Sequence, residues 1–531
     1  MARVATAILC IVGSLALLAG VFLPFIGIGM ASLDCGSPVN DPRIILPSSV
    51  LLTRSVTLSI AASVGALLLG LWPAAVLGST RRRAWPLALG LTLTPLLVPP
   101  QVYAYAWGLL PGVGGVLGSF VPAGPSVPAS GLGAAAKAGV ISAGWLWPVV
   151  ALIVAVGWRA AGRSAYALAI LDTTPARAWW FAVLPSLRPY MLAAGCVVFA
   201  VTLTDYAIPH FALARVYATE LMALVDIAAA PGEIVRMAAQ PIIVMAVLGL
   251  LMGWSLQAMR DWHVPEAGED GLGGGRNVWM GGPGSGLRAA AGASLVWILT
   301  LGMPVAAMFL ALRRWDVWGE AFSVFSRQWR ASLQVAALVA AMSVLIAIAT
   351  ALLWRASRRH WLRWPALAVL AAALMPPAAM GIGLILVFNR PGAWGYLYDK
   401  TLVVWCLGLI GRYSAVVVLV AWLATSRQDM AAVEQARSDG ADGMSVLAHV
   451  LLPATWPALL AGGLIVGMLS LFEIVMTQVV GPVGYPSLAV TILNHMHYGR
   501  DDMVIATSLA VLPAGLVVTL GAGWLFWWSR S

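Results

Sequence analysis

Residues 434–453 read Glu434-Gln435-Ala436-Arg437-Ser438-Asp439-Gly440-Ala441-Asp442-Gly443, then Met444 through Leu452 to Pro453. The stretch is polar and charged, yet long apolar segments flank it on both sides. Met430 to Ser438 has the make-up of a short helix. Gly440 and Gly443 admit the positive φ that a tight turn requires. Asp442 suits the N-cap of a second short helix, which Pro453 is expected to stop. Met444, Leu447 and Leu451 would share one face of that helix. The expected unit is a helix–turn–helix knuckle on a membrane surface.

Composition sets the surroundings of this knuckle. The chain has 531 residues, of which 61% are hydrophobic and 10% charged. A soluble domain carries about 25% charged residues, so a soluble enzyme is excluded. Apolar runs of membrane-spanning length recur, which implies an all-α polytopic membrane protein. The net charge of +10 is explained by Arg-rich cytoplasmic loops rather than by nucleic acid. Cys10, Cys196 and Cys406 fall in apolar runs and Cys35 stands alone in a loop, so no disulfide framework or Cys/His metal motif is expected. The apolar run after Arg3 extends to Ile28, longer than a signal-peptide core, and reads as an uncleaved first span.

Hydropathy places twelve spans near 4–28, 51–78, 86–110, 139–158, 190–209 and 235–258, then 288–312, 331–354, 362–388, 401–424, 458–480 and 503–528. With the N-terminus inside, most arginines fall on the cytoplasmic side, including Arg81-Arg82-Arg83, Arg355, Arg427 and Arg437. One outer loop dissents, with Arg313, Arg314, Arg327 and Arg330 partly balanced by Asp316 and Glu320.

The halves repeat one another. Ser55 pairs with Ser332, Arg82 with Arg359, and Pro99-Pro100 with Pro376-Pro377 at one offset. Pro185 pairs with Pro453, Asp205 with Glu473 and Ala238 with Ala506 at a second. Six spans per half is an even number, so the repeat is parallel, with a pathway expected between the halves. The expected organisation is a repeat over 1–258, a Gly-rich linker over 259–287 and a repeat over 288–531.

The knuckle resembles the EAA loop of bacterial ABC-importer permeases. Glu434, Ala436, Gly440 and the ending Val450-Leu451-Leu452-Pro453 fit its spacing, and Gln435 replaces the usual second-position Ala. The loop would span 427–457. A decayed copy lies at 163–188, where Thr174-Pro175 offers a cap with Pro at the first helical position and Leu184-Pro185 keeps the ending. There Tyr166 stands in the place of Glu434, and Asp172 in that of Gly440. The tail, with Leu471-Phe472-Glu473, Pro486-Ser487-Leu488-Ala489-Val490 and His497-Tyr498-Gly499, is similar to fused double permeases of the iron(III) class, and similar fused permeases serve thiamine and some other small solutes.

The resemblance implies the type I importer permease fold, a bacterial inner membrane and cytoplasmic termini. It also implies a cytoplasmic ABC ATPase dimer that holds ATP-Mg, and a periplasmic or lipid-anchored binding protein on loops 29–50, 111–138, 313–330 and 481–502. The cargo it suggests is ferric iron. Glu434, Gln435, Ala436, Gly440, Asp442 and Pro453, with Thr174, Pro175 and Pro185, would form the ATPase-coupling loops. Nucleic acid is not an expected partner, and membrane lipid is.

The residues themselves support an outside energy source. A phosphate-binding loop needs Gly-Lys, and the lysines are Lys137 after Ala136 and Lys400 after Asp399. No cofactor is expected on this chain, and no nucleophile or metal cluster suggests a membrane-embedded enzyme. Asp205 and Glu473 lie in apolar segments, where carboxylates line a pathway or pair structurally. Arg412 is a candidate partner for Glu473. Used as ion sites, the two carboxylates would equally suit an ion-coupled secondary transporter. His495 and His497 would share one face of a strand-like segment, a weak metal-ligand pattern without a full ligand set. Trp145, Trp147, Trp524, Trp527 and Trp528 read as interfacial anchors.

Overall fold

A computed structural model describes residues 2–33, 46–80, 84–113, 131–260, 285–357, 360–426 and 430–528. The chain is an all-α polytopic membrane protein. Arg81 to Arg83, Arg358, Arg359, Arg427, Cys35 and linker residues 261–284 lie outside the described residues.

Among the described residues, ten helices are long and apolar enough to cross a membrane. Two further expected spans, 86–110 and 362–388, are not straight. Trp85–Leu97 and Pro100–Leu110 meet at 80°, and Arg363–Ala373 and Pro377–Phe388 at 112°. The two proline pairs cause both breaks. Proline has no N–H to donate, and its ring disfavours helical ψ in the residue before it, so Pro100 and Pro377 each begin a new helix.

The expected spans 190–209 and 458–480 also end early. Their helices close at Thr204 and Leu471, and short helices Ala207–Phe211 and Val475–Val480 follow. Both reach further at the other end, because the knuckle helix runs straight into the span: Pro175–Thr204 and Gly443–Leu471 are each continuous.

The residues form two compact units that do not follow the sequence halves 1–258 and 288–531. One contains Met1–Ile45, Glu220–Ala239 and Leu312–Ser531, the other Leu46–Thr219 and Gln240–Ala311. The leading helix of each half is therefore packed with helices of the opposite half. Close backbone approach explains this in the first unit. A Cβ on Gly13 would stand 2.2 Å from the Leu345 carbonyl oxygen, and one on Gly27 would stand 1.8 Å from that of Gly383. Only glycine lets these helices touch. In the second unit the packing is aromatic and polar. Tyr103 donates to the Thr300 carbonyl at 2.7 Å, and Trp147 Nε1 donates to Thr300 Oγ1 at 2.9 Å.

Those bonds correct the reading of two tryptophans. Trp147 is 1% exposed, and Trp145 is buried with its Nε1 donating to the Val98 carbonyl at 3.0 Å. Both belong to the core, where each indole N–H has found a partner. Trp524 and Trp528 are exposed and stacked at 5.6 Å, as interfacial rings would be.

Candidate functional site

The knuckle of the second repeat is built from Met430–Ser438, a turn, and Gly443–Val446. Gly440 has φ +85°. Its N–H donates to the Arg437 carbonyl at 2.9 Å, and the Ala441 N–H donates to the Ala436 carbonyl at 2.9 Å. This pair of bonds is the Schellman closure, which satisfies helix-end carbonyls through one left-handed residue. Gly443 does not take a positive φ. It sits close against Leu353–Ser357, since a Cβ there would stand 3.1 Å from the Ser357 Cβ.

Asp442 caps the second helix. Its Oδ1 accepts from the Ser445 N–H at 3.0 Å, and its Oδ2 accepts from Arg3 at 2.6 Å. The Ser445 bond chiefly, and the Arg3 charge to a lesser degree, hold this carboxyl below the usual carboxylate range. Leu447 and Leu451 are buried as expected, and Met444 is half-buried. Pro453 does not stop the helix. A π turn over Leu447–Leu451 precedes it, and the helix passes on as Leu452–Leu471. The wider turn absorbs the missing donor and the ring.

Glu434 and Gln435 are exposed, Ala436 is half-buried, and Gln435 Nε2 donates to Asp439 at 3.2 Å. Arg437 does more than its sequence context suggested. Its Nη2 donates to the carbonyls of Ala356 at 2.7 Å and Arg355 at 3.3 Å, the otherwise unfilled end of Leu353–Ser357. No local pattern announces this bond, because its target lies about eighty residues upstream.

The first-repeat knuckle copies the backbone plan with different chemistry. Arg163–Ala169, Pro175–Ala178, a π turn over Trp179–Val183 and Leu184–Thr204 follow in the same order. Thr174 sits at the N-cap with extended backbone and Pro175 follows at N1, but the Thr174 hydroxyl makes no cap bond. Pro185 lies just after the π turn, as Pro453 does. Around Asp172 the turn closes differently, with Thr173 N–H on the Ala169 carbonyl at 3.0 Å. Positive φ in non-glycine residues occurs at Leu213 and Ala228 and not in this turn. Tyr166 is buried where Glu434 is exposed.

The paired carboxylates mark the helix breaks rather than span interiors. Asp205 accepts from the N–H groups of Ala207 at 3.2 Å and Ile208 at 3.1 Å. Glu473 Oε2 accepts from the Met476 N–H at 2.7 Å. Its other oxygen, Oε1, lies 3.8 Å from Arg412 Nε, and Arg412 and Glu473 are both largely buried. A broken helix in a membrane leaves backbone donors that must be met from within the protein. Both carboxylates meet that need.

His495 and His497 are on the helix Leu488–His497, not on a strand. Two residues apart on a helix, they point to different sides. The His495 ring packs 5.3 Å from Phe325, and partial burial, then Arg500, lowers its pKa. His497 Nδ1 lies 2.9 Å from the Leu493 carbonyl. Among the described residues no group of three or more His, Cys, Asp or Glu could hold a metal ion.

Comparison with known proteins adds a distant likeness. No protein-family model matches the chain, and no solved structure does. Over 202 residues, 38% of this chain, it is 27% identical to the putrescine transport system permease protein PotI of Escherichia coli strain K12, covering 70% of that protein. The same identity and coverage hold for PotI of Escherichia coli O6:H1 strain CFT073. The chain is thus a multi-pass membrane protein similar to the permease component of a transport system.

Proposed function

We propose that this chain is the membrane permease of an ATP-driven importer, non-enzymatic itself and powered by a cytoplasmic ATPase dimer. One observation carries the reading. The second helix of the Schellman-closed knuckle, which starts at Gly443, is continuous with the long helix that ends at Leu471, beside Glu473. A force on the knuckle would reach the far end of that span through one helix. Glu434 and Gln435 are exposed for contact, and Arg437 and Gly443 fix the knuckle to Leu353–Ser357. The N-terminus and the knuckle share one end of their unit, since Arg3 meets Asp442. This supports an orientation with both on the cytoplasmic side of a bacterial inner membrane.

A binding protein outside would deliver the solute. The cargo is a small cation. The tail leans toward ferric iron, the relatives' name specifies putrescine, and thiamine is also positively charged. Reconstituted vesicles test the proposal. With the ATPase and binding protein present, solute should accumulate only with ATP-Mg, and competition between ferric iron, thiamine and putrescine should identify the cargo. Accumulation without any ATPase would refute the reading.

A further inference from the structure

The N-terminal helix Ala2–Leu17 belongs by sequence to the first repeat and by packing to the unit that holds the second-repeat knuckle. It packs along Val317–Ala347 and against Gly443–Val446 and Leu447–Leu451 of the knuckle, and two close contacts mark the fit. Gly13 lies against Leu345, and Arg3 reaches the knuckle itself at 2.6 Å. Arg3 does not meet a random surface acid. Asp442 uses one oxygen to cap Gly443–Val446 and the other to receive Arg3. The guanidinium therefore grips the residue that begins the helix running to Leu471. Among the described residues the first knuckle shows no counterpart: Thr174 stands in the place of Asp442 and carries no charge.

We propose that Arg3 is a positioning residue that ties the N-terminal helix to the second knuckle, so that a displaced knuckle carries this helix with it. The proposal rests on the reading of the knuckle as an ATPase-docking element. The tie is asymmetric: docking at one knuckle would move a helix covalently rooted in the other repeat, and docking at the first knuckle would not do the reverse. An exposed ion pair is a weak link, and Arg3 and Asp442 are 61% and 50% exposed. It need not hold the fold. The glycine contacts already order the helix, so the pair has little freedom left to remove and acts as a register pin.

The test uses the full chain with its ATPase and binding protein in vesicles, with putrescine as the probe solute. Arg3→Gln removes the tie. Asp442→Asn also removes it while keeping a good N-cap. Each should raise ATP hydrolysed per solute imported by about two- to five-fold, the range a weak exposed pair can supply. The double variant should be no worse than either single one. A second readout is independent of stability. Spin labels at the exposed positions Val4 and Ser438 should keep one separation with and without ATP in the otherwise unaltered chain, and should change separation with ATP in the Arg3→Gln background. A nucleotide-dependent separation in the unaltered chain, or an Arg3→Gln chain that couples normally, would overturn the tie alone. A chain that recruits no ATPase would overturn the docking reading and the tie together.

Discussion

Replacing Gly440 tests the knuckle most directly, because its cost is conformational alone. Gly440 has φ +85° and no atom lies within 4 Å of where a Cβ would be. A larger residue meets no clash with neighbours, so only the backbone objects. An L-residue in the left-handed region costs about 1–2 kcal/mol, and a β-branched one more. Taking ~2 kcal/mol for Gly440→Val, the closed turn loses about thirty-fold in population relative to opened forms. The bonds from Gly440 to Arg437 and from Ala441 to Ala436 open together, and Asp442 loses its fixed place at the next helix start. Asn tolerates this region, so Gly440→Asn should lose far less. The assay is ATPase retained by the purified chain, followed by ATP-dependent uptake in vesicles, with insertion checked by tag accessibility. The expected order is Gly, Asn, Ala, Val, with insertion equal throughout. Equal retention by Gly and Val would refute the reasoning. Equal loss for Asn and Val would show that contact, not φ, governs the turn.

Three further outcomes follow from particular contacts. Gly27→Leu should prevent native packing and lower the thermal midpoint sharply, because its Cβ would meet the Gly383 carbonyl, whereas Gly29→Leu, with nothing within 4 Å, should change little. Arg412→Met should cost about 3 kcal/mol by stranding Glu473, and Arg412→Met with Glu473→Gln should recover most of it in a denaturation series. Asp442 has a lowered pKa in the folded chain. Its contribution is therefore complete above the unfolded value of about 3.9 and is lost as pH falls through the lower folded value. ATPase retention should be indifferent to this group between pH 5 and 8, and an Asp442→Asn chain should lack the acid-limb component seen by titration.

Much of the architecture could be read from local chemistry. The knuckle's turn, cap and buried face depend on residues within twenty positions of one another, and Gly440, Asp442 and Leu447 announced them. Ser55 and Ser332, paired by their spacing in the sequence, make matching bonds, accepting from the N–H groups of Tyr217 at 3.0 Å and Leu488 at 2.9 Å. What escaped was either long-range or a conflict of local rules. Arg437 finds its carbonyls, Arg3 its carboxylate and Trp147 its threonine only after folding. Hydropathy also smoothed over the proline pairs, because Pro99-Pro100 sits in an apolar run whether the helix bends or not. Pro453 failed as a stop because a π turn is an alternative way to accommodate a proline, and nothing in composition distinguishes the two.

The carboxylates show how a repeated position can keep one role while acquiring another. Both Asp205 oxygens accept from the turn that follows it. Glu473 is one methylene longer. It can satisfy Met476 with one oxygen and still bring the other toward Arg412. The break in each span therefore explains why an acid is present at all, without a substrate. Arg412 explains why the second acid is Glu, since Asp would have to choose between capping and pairing.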